Sequence, residues 1–276
     1  MRNTDQFSLA VFIKLVANEQ GVLTKERLLQ PDLRRILPVI PDPGLIKDFY
    51  VLLNYSVTNR QQIKTLVIAP SGVYFTCKST KELLSYHMAH SILDISATRA
   101  LRTHLDLPAN CEPSLCFVNW VAMHLSGVSS SKKADWVALH HTTAITVSSG
   151  MATRVFTFEK RFQVQLPVQR NFDGRLRNVQ WMSALELEAF RYLAAEVGVP
   201  LDLNLLEENI LREADPCFRA SCATVSCESI GRFLLSFQET SLDAVVHHPE
   251  LGFLSMMFID FKRYFRRQLL RKHTFN

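Results

Sequence analysis

Trp136-Val137-Ala138-Leu139-His140-His141-Thr142-Thr143-Ala144-Ile145-Thr146-Val147, then Ser148-Ser149-Gly150 and Met151 to Phe158, is the stretch on which the reading of this chain turns. Val137, Leu139, Ile145 and Val147 are apolar and alternate with smaller or more polar neighbours, the period of a strand with one buried face. Ser148-Ser149-Gly150 supplies a turn in which Gly150 takes a positive φ without steric cost. Arg154-Val155-Phe156-Thr157-Phe158 reads as the return strand, so the stretch predicts a β-hairpin. On such a strand His140 and His141 point to opposite faces. The nearest carboxylate is Asp135, just before the strand, and no acidic residue is identifiable as an orienting partner. The hairpin is therefore read as scaffold.

Working outward, Thr65 to Ala69, Pro70-Ser71-Gly72 and Val73 to Cys77 predict a second hairpin, and Phe162 to Leu166 alternates as a further strand. Helical spacing covers Phe7 to Ala17, stopped by Gly21, and Thr24 caps a short helix through Leu29. Ser79 with Glu82, and Ser183 with Glu186, spell capping boxes. The second predicts a helix from Ser183 to about Val197, ended by Gly198, with Asn171-Phe172-Asp173-Gly174 as a turn before it. Leu45 to Tyr55 reads as a short helix and Leu115 to Leu125 as a buried one. Further helical pattern lies near Ala97 to Leu105, Leu201 to Arg212, Ile230 to Phe237 and Leu251 to Lys272. Pro38, Pro41, Pro43 and Gly44 mark a linker, and the Ser- and Lys-rich segment Gly127 to Lys133 marks a flexible link.

This order predicts an α/β (or α+β) fold. It has a helical N-terminal segment (1–44), a first hairpin-led α/β half (45–128) and a second (134–276) that ends in a basic amphipathic helix. The arrangement resembles the actin-like cytoplasmic domains of type IV pilus and type II secretion platforms, whose degenerate members serve as docking scaffolds. That resemblance implies a scaffold that binds no nucleotide. The first half is short for such a domain, and its phosphate-loop glycines are missing.

Composition excludes several classes. With 276 residues, 47% hydrophobic and 21% charged, the chain is neither disordered nor short of core. It has no P-loop, dinucleotide fingerprint, nucleophile elbow or H-E-x-x-H motif, so the common catalytic classes are set aside and no cofactor is expected. No run of 18 apolar residues occurs, and the polar start makes a poor signal peptide. Six cysteines in a chain of this length point to a reducing, cytoplasmic setting. Cys217, Cys222 and Cys227, with His247 and His248, are the weak metal candidates, since C-x4-C is loose for zinc. His87 and His90 share a helical face without a third ligand at matching spacing.

The net charge of +5 belongs to one segment. Between Phe261 and Lys272 stand six basic residues and no acidic one; the remaining 25 basic and 26 acidic residues leave −1. Lys262, Arg263, Arg266, Arg267, Arg271 and Lys272 form rows on a helix beside Phe261 and Phe265. Such a helix suits an acidic protein groove, nucleic-acid phosphates or an anionic membrane surface, without a transmembrane span. The expectation is a non-enzymatic interaction or assembly protein that docks into a larger complex through this helix. A nucleic-acid-binding protein and a zinc- or cysteine-dependent enzyme are the alternatives.

Overall fold

The structure, a computed structural model, describes residues 7–44, 46, 48–55, 63–89, 114–125, 134–148, 152–196, 198–199, 208–213 and 264. Among these, ten strands form two sheets, accompanied by helices, a mixed fold of the expected class.

The N-terminal segment comprises α1 (Leu9–Val16), β1 (Val22–Thr24) and α2 (Lys25–Leu28). Gly21, at φ +76, turns the chain out of α1, and Thr24 Oγ1 accepts the Arg27 N–H at 3.3 Å to cap α2, as read from the sequence. Six strands follow: β2 (Val51–Asn54), β3 (Thr65–Ala69), β4 (Gly72–Thr76), β5 (Leu115–Phe117), β6 (Trp120–His124) and β7 (Trp136–Ala138). They form one antiparallel sheet in the order β4-β3-β2-β7-β6-β5. β7 follows the expected flexible link in sequence, yet it sits at the middle of this sheet. β8 (Thr142–Val147), β9 (Thr153–Phe158) and β10 (Phe162–Pro167) build a second sheet, ordered β1-β10-β9-β8, with β1 parallel to β10.

One face of the first sheet carries Val51, Leu53, Leu66, Ile68, Val73 and Phe75. It packs on Phe156, Phe158, Val164 and Leu166 of the second sheet, with Phe12 and Val16 of α1 in the same core. Its other face carries Leu52, Val67 and Tyr74, packed with Leu83 and Leu84 of α3 (Thr80–Ala89). A sheet buried on both faces explains why its strands read as continuous apolar runs. The second sheet covers one face only, and β9 and β10 alternate buried and half-buried residues.

Three expectations change. The first concerns the opening stretch, which is not one strand. β7 ends at Ala138, a single 3₁₀ turn spans Leu139–His141, and β8 begins in the other sheet. The Thr142 hydroxyl donates to the Ala138 carbonyl at 2.9 Å across this crossover. The β8–β9 hairpin is present, but β8 is an edge strand and Val147 is exposed; Gly150 lies outside the described residues. Secondly, residues within Leu45–Tyr55 and Leu115–Leu125 form the strand β2 and the hairpin β5–β6 rather than helices.

The third concerns α4 (Phe172–Glu196), which starts eleven residues before the predicted cap. Ser183 and Glu186 lie inside it, on one face. The Ser183 hydroxyl donates to the Val118 carbonyl at 2.6 Å, and Glu186 accepts the Val118 N–H. Together they hold Val118 at φ +60, a conformation that a β-branched residue rarely takes, and so shape the β5–β6 turn. Gly174, read as part of a turn, lies in the first turn of α4, where a Cβ would meet the Asn171 side chain, which would have to turn aside. Gly198, at φ +77, ends the helix as expected.

Candidate metal centre

β2 and β7 pair antiparallel, with Val51 opposite Val137. The Ala138 N–H donates to the Tyr50 carbonyl at 3.0 Å. Continued along the strands, this register brings Asp48 opposite His140. The 3₁₀ turn then gathers what a strand would have separated: the rings of His140 and His141 lie 4.5 Å apart on the same side.

Both imidazoles address one carboxylate. His140 Nε2 lies 3.0 Å from Asp48 Oδ1, and His141 Nε2 lies 2.6 Å from Asp48 Oδ2. Each ring also has a polar group behind it. His140 Nδ1 lies 3.1 Å from both the N and the O of Val121 on β6. His141 Nδ1 lies 2.8 Å from Glu159 Oε1, at ion-pair distance but poorly aligned for a hydrogen bond. Glu159 sits in the β9–β10 turn, and its backbone N–H donates to the His141 carbonyl at 3.0 Å. Trp120 flanks His140 at 5.6 Å between ring centroids, and Tyr50 flanks His141 at 4.9 Å. The two histidines are nearly covered, with side chains 9% and 13% exposed, whereas Asp48 is 37% exposed and faces solvent.

The electrostatics follow from this packing. Burial pushes the Asp48 carboxyl up, but hydrogen bonds from His140 and His141 outweigh it and hold the group below the usual carboxylate range. Burial lowers His141, while Asp48 and then Glu159 raise it; the net direction is up. Burial, then the neighbouring Glu159 carboxylate, raises the Tyr50 hydroxyl, which remains a protonated donor.

Sequence reasoning had set these histidines aside for want of an acidic partner. The partner is Asp48, 92 residues before His140, brought in by strand pairing. Asp135, the nearest carboxylate in sequence, does other work: it accepts the Asn54 N–H at 2.8 Å and pairs with Lys25 at 2.5 Å. The adjacent histidine pair was the only local signal, and it became informative only once the strand was broken.

The other expected sites are not brought into this cluster. Phe261, Lys262, Arg263, Phe265, Arg266, Arg267, Arg271 and Lys272 lie outside the described residues, as do Cys217, Cys222, Cys227, His247 and His248. Tyr264, within the basic segment, is helical and 61% exposed. His87 belongs to α3, and His90 is outside the described residues. No helix among the described residues is long and apolar enough to cross a membrane. No protein-family model, curated protein or solved structure matches the chain.

Proposed function

We propose that this protein binds a divalent transition-metal ion through Asp48, His140 and His141, a two-histidine, one-carboxylate centre. The observation that carries the reading is convergence with support. One nitrogen from each imidazole and one carboxylate oxygen lie within 4.8 Å of one another, while His140 Nδ1 is bonded to Val121 and His141 Nδ1 faces the Glu159 carboxylate at ion-pair distance. A metal-bound imidazole needs its remaining N–H directed to a carbonyl or carboxylate, which fixes the tautomer and the ring plane. Val121 O and Glu159 stand in those places.

Ligand atoms around a tetrahedral ion sit roughly 3.3 Å apart. The observed 3.0 and 2.6 Å separations therefore need widening by about 0.3 and about 0.7 Å on metal entry. Imidazole and carboxylate donors suit zinc or iron(II). When bound, such an ion supplies Lewis acidity and an activated water. Asp48 and the two histidines bind and orient it, Trp120 and Tyr50 cover the rings, and the exposed side of Asp48 gives entry.

The test is direct. Full-length protein stripped with a chelator is titrated with Zn²⁺ by calorimetry, with one equivalent expected. Asp48→Asn and His141→Ala should each lower affinity by more than the about 10–100-fold that loss of a supporting contact costs. Binding unchanged in both variants would sink the proposal.

A second reading concerns the basic segment and is compatible with the first. Its support is the segregation of six basic residues between Phe261 and Lys272, together with the helical, exposed Tyr264. In this reading the segment docks the protein onto a partner within a larger complex. Deleting residues 261–276 should leave the unfolding midpoint of the body unchanged and abolish partner association. If nucleic acid is the partner, affinity falls steeply with salt; a flat salt response removes that version.

A further inference from the structure

We infer that Glu159 is a positioning residue for this centre: it fixes the ring of His141 so that Nε2 faces the ion. The inference rests on the metal reading and adds a residue that does not itself bind the metal.

The first observation is backbone conformation. Glu159 and Lys160, the central residues of the β9–β10 turn, lie at φ +48 and +57. The Arg161 N–H closes the turn onto the Phe158 carbonyl at 2.9 Å. A primed hairpin turn of this kind ordinarily takes Asn-Gly or Asp-Gly, because L side chains resist positive φ. Here a long charged residue occupies the strained position whose side chain reaches His141. Strain retained at a functional contact is a recognised pattern.

The second observation is that the carboxylate is itself held. Glu159 Oε1 is 2.8 Å from His141 Nδ1, and Glu159 Oε2 is 3.2 Å from the Arg161 guanidinium. The Tyr50 ring lies beside His141, with 4.9 Å between ring centroids. The third is the bond from the Glu159 N–H to the His141 carbonyl, which ties the turn to the 3₁₀ turn through the backbone. The main chain of Glu159 therefore fixes the position of His141, and its carboxylate stands behind the ring at ion-pair distance, where a small rotation of the imidazole would align the Nδ1–H with it. A carboxylate behind a metal-bound histidine sets its tautomer and raises its basicity.

The test uses full-length, metal-stripped protein titrated with Co²⁺ alone, read by visible absorption, for the wild type and for Glu159→Gln, Glu159→Asp and Glu159→Gly. Glu159→Gln should lower affinity about tenfold and alter the band shape at unchanged one-to-one stoichiometry. Glu159→Asp should recover part of the loss. Glu159→Gly removes the carboxylate but relaxes the turn, so its metal-free unfolding midpoint should hold or rise while affinity falls about 10–100-fold. A merely structural role gives no such opposition. Wild-type protein that binds no Co²⁺ overturns the metal reading itself. Wild-type binding, with Gln and Gly variants within twofold of it and an unchanged spectrum, overturns the role of Glu159 alone. Glu159→Gln keeps the side chain's size, so the outcome remains readable even if Glu159→Gly fails to fold.

Discussion

Replacing Glu186 by glutamine should change how stability depends on pH, with a sign set by the structure. Glu186 is 2% exposed on α4. It accepts the Val118 N–H and lies 3.5 Å from the Cys116 thiol, while Oε1 has no hydrogen-bond partner among the described residues. Burial pushes its pKa up to about 8, against the smaller opposing effects of the Val118 N–H and the Cys116 thiol. Its ordinary value is 4.5, so over the intervening range the folded chain holds a proton that the unfolded chain has released. The stabilisation is complete below pH 4.5, is lost as pH rises through about 8, and does not change further above that. At about 1.36 kcal/mol per pH unit the loss has a ceiling of about 5 kcal/mol. Glutamine carries no charge and still offers an oxygen to Val118, but its amide brings a donor that costs about 1 kcal/mol if unpaired. Glu186→Gln should therefore be slightly less stable than wild type at pH 5 and more stable at pH 9. Urea unfolding at intervals across that range gives the difference at each pH, in which the titration of groups not coupled to Glu186 cancels; the Cys116 thiol, coupled to it, is held up chiefly by its own burial. A difference that stays constant with pH would falsify the placement of Glu186 in a dry site.

Two further predictions concern polar anchors. Asp135→Ala strands Lys25 and the Asn54 N–H together and should cost about 2–4 kcal/mol in urea unfolding, whereas removing a solvent-exposed pair such as Arg27 with Asp32 should leave the urea midpoint almost unchanged. In metal-free protein His141 titrates above its ordinary 6.5, so its stabilisation is present below 6.5 and is lost as pH rises through the raised value. Asp48 titrates below its ordinary 3.8, so its share is present above 3.8 and is lost on further acidification. The trio is therefore strongest between these limits, and imidazole proton resonances followed against pH should show His141 titrating late. Asp48→Asn should lower that midpoint.

How much of this was legible in the sequence depended on how local each determinant is. The hairpin β3–β4, the helix α1 and the cap of α2 rest on neighbours within a few residues, and they were read correctly. Ser79 and Glu82 form the capping box the sequence spelled, with bonds of 2.6 and 3.2 Å. Ser183 and Glu186 spell the same pattern and do something else, because a spacing of three also places two side chains on one helix face. There they grip Val118, and the sequence carries no mark of that choice. β2 and β6 were misread because both faces of their sheet are buried, which erases the period of two and leaves an apolar run that resembles a core helix. The centre was hidden for a related reason. His140 and His141 are separated on a strand and joined on a 3₁₀ turn, and Asp48 reaches them only through the pairing of β2 with β7.

X-ray absorption at the zinc edge of protein loaded with one equivalent of Zn²⁺ tests the central claim most directly, because it reports the ligand atoms themselves. The expected spectrum contains only nitrogen and oxygen neighbours at about 2.0–2.2 Å, with the outer-shell scattering of two imidazole rings. That imidazole scattering should be lost in the His140→Ala, His141→Ala double variant. Sulfur neighbours at about 2.3 Å would instead place the ion at cysteines such as Cys217, Cys222 and Cys227. That result, or a chain that retains no zinc, would contradict the assignment of the centre to Asp48, His140 and His141.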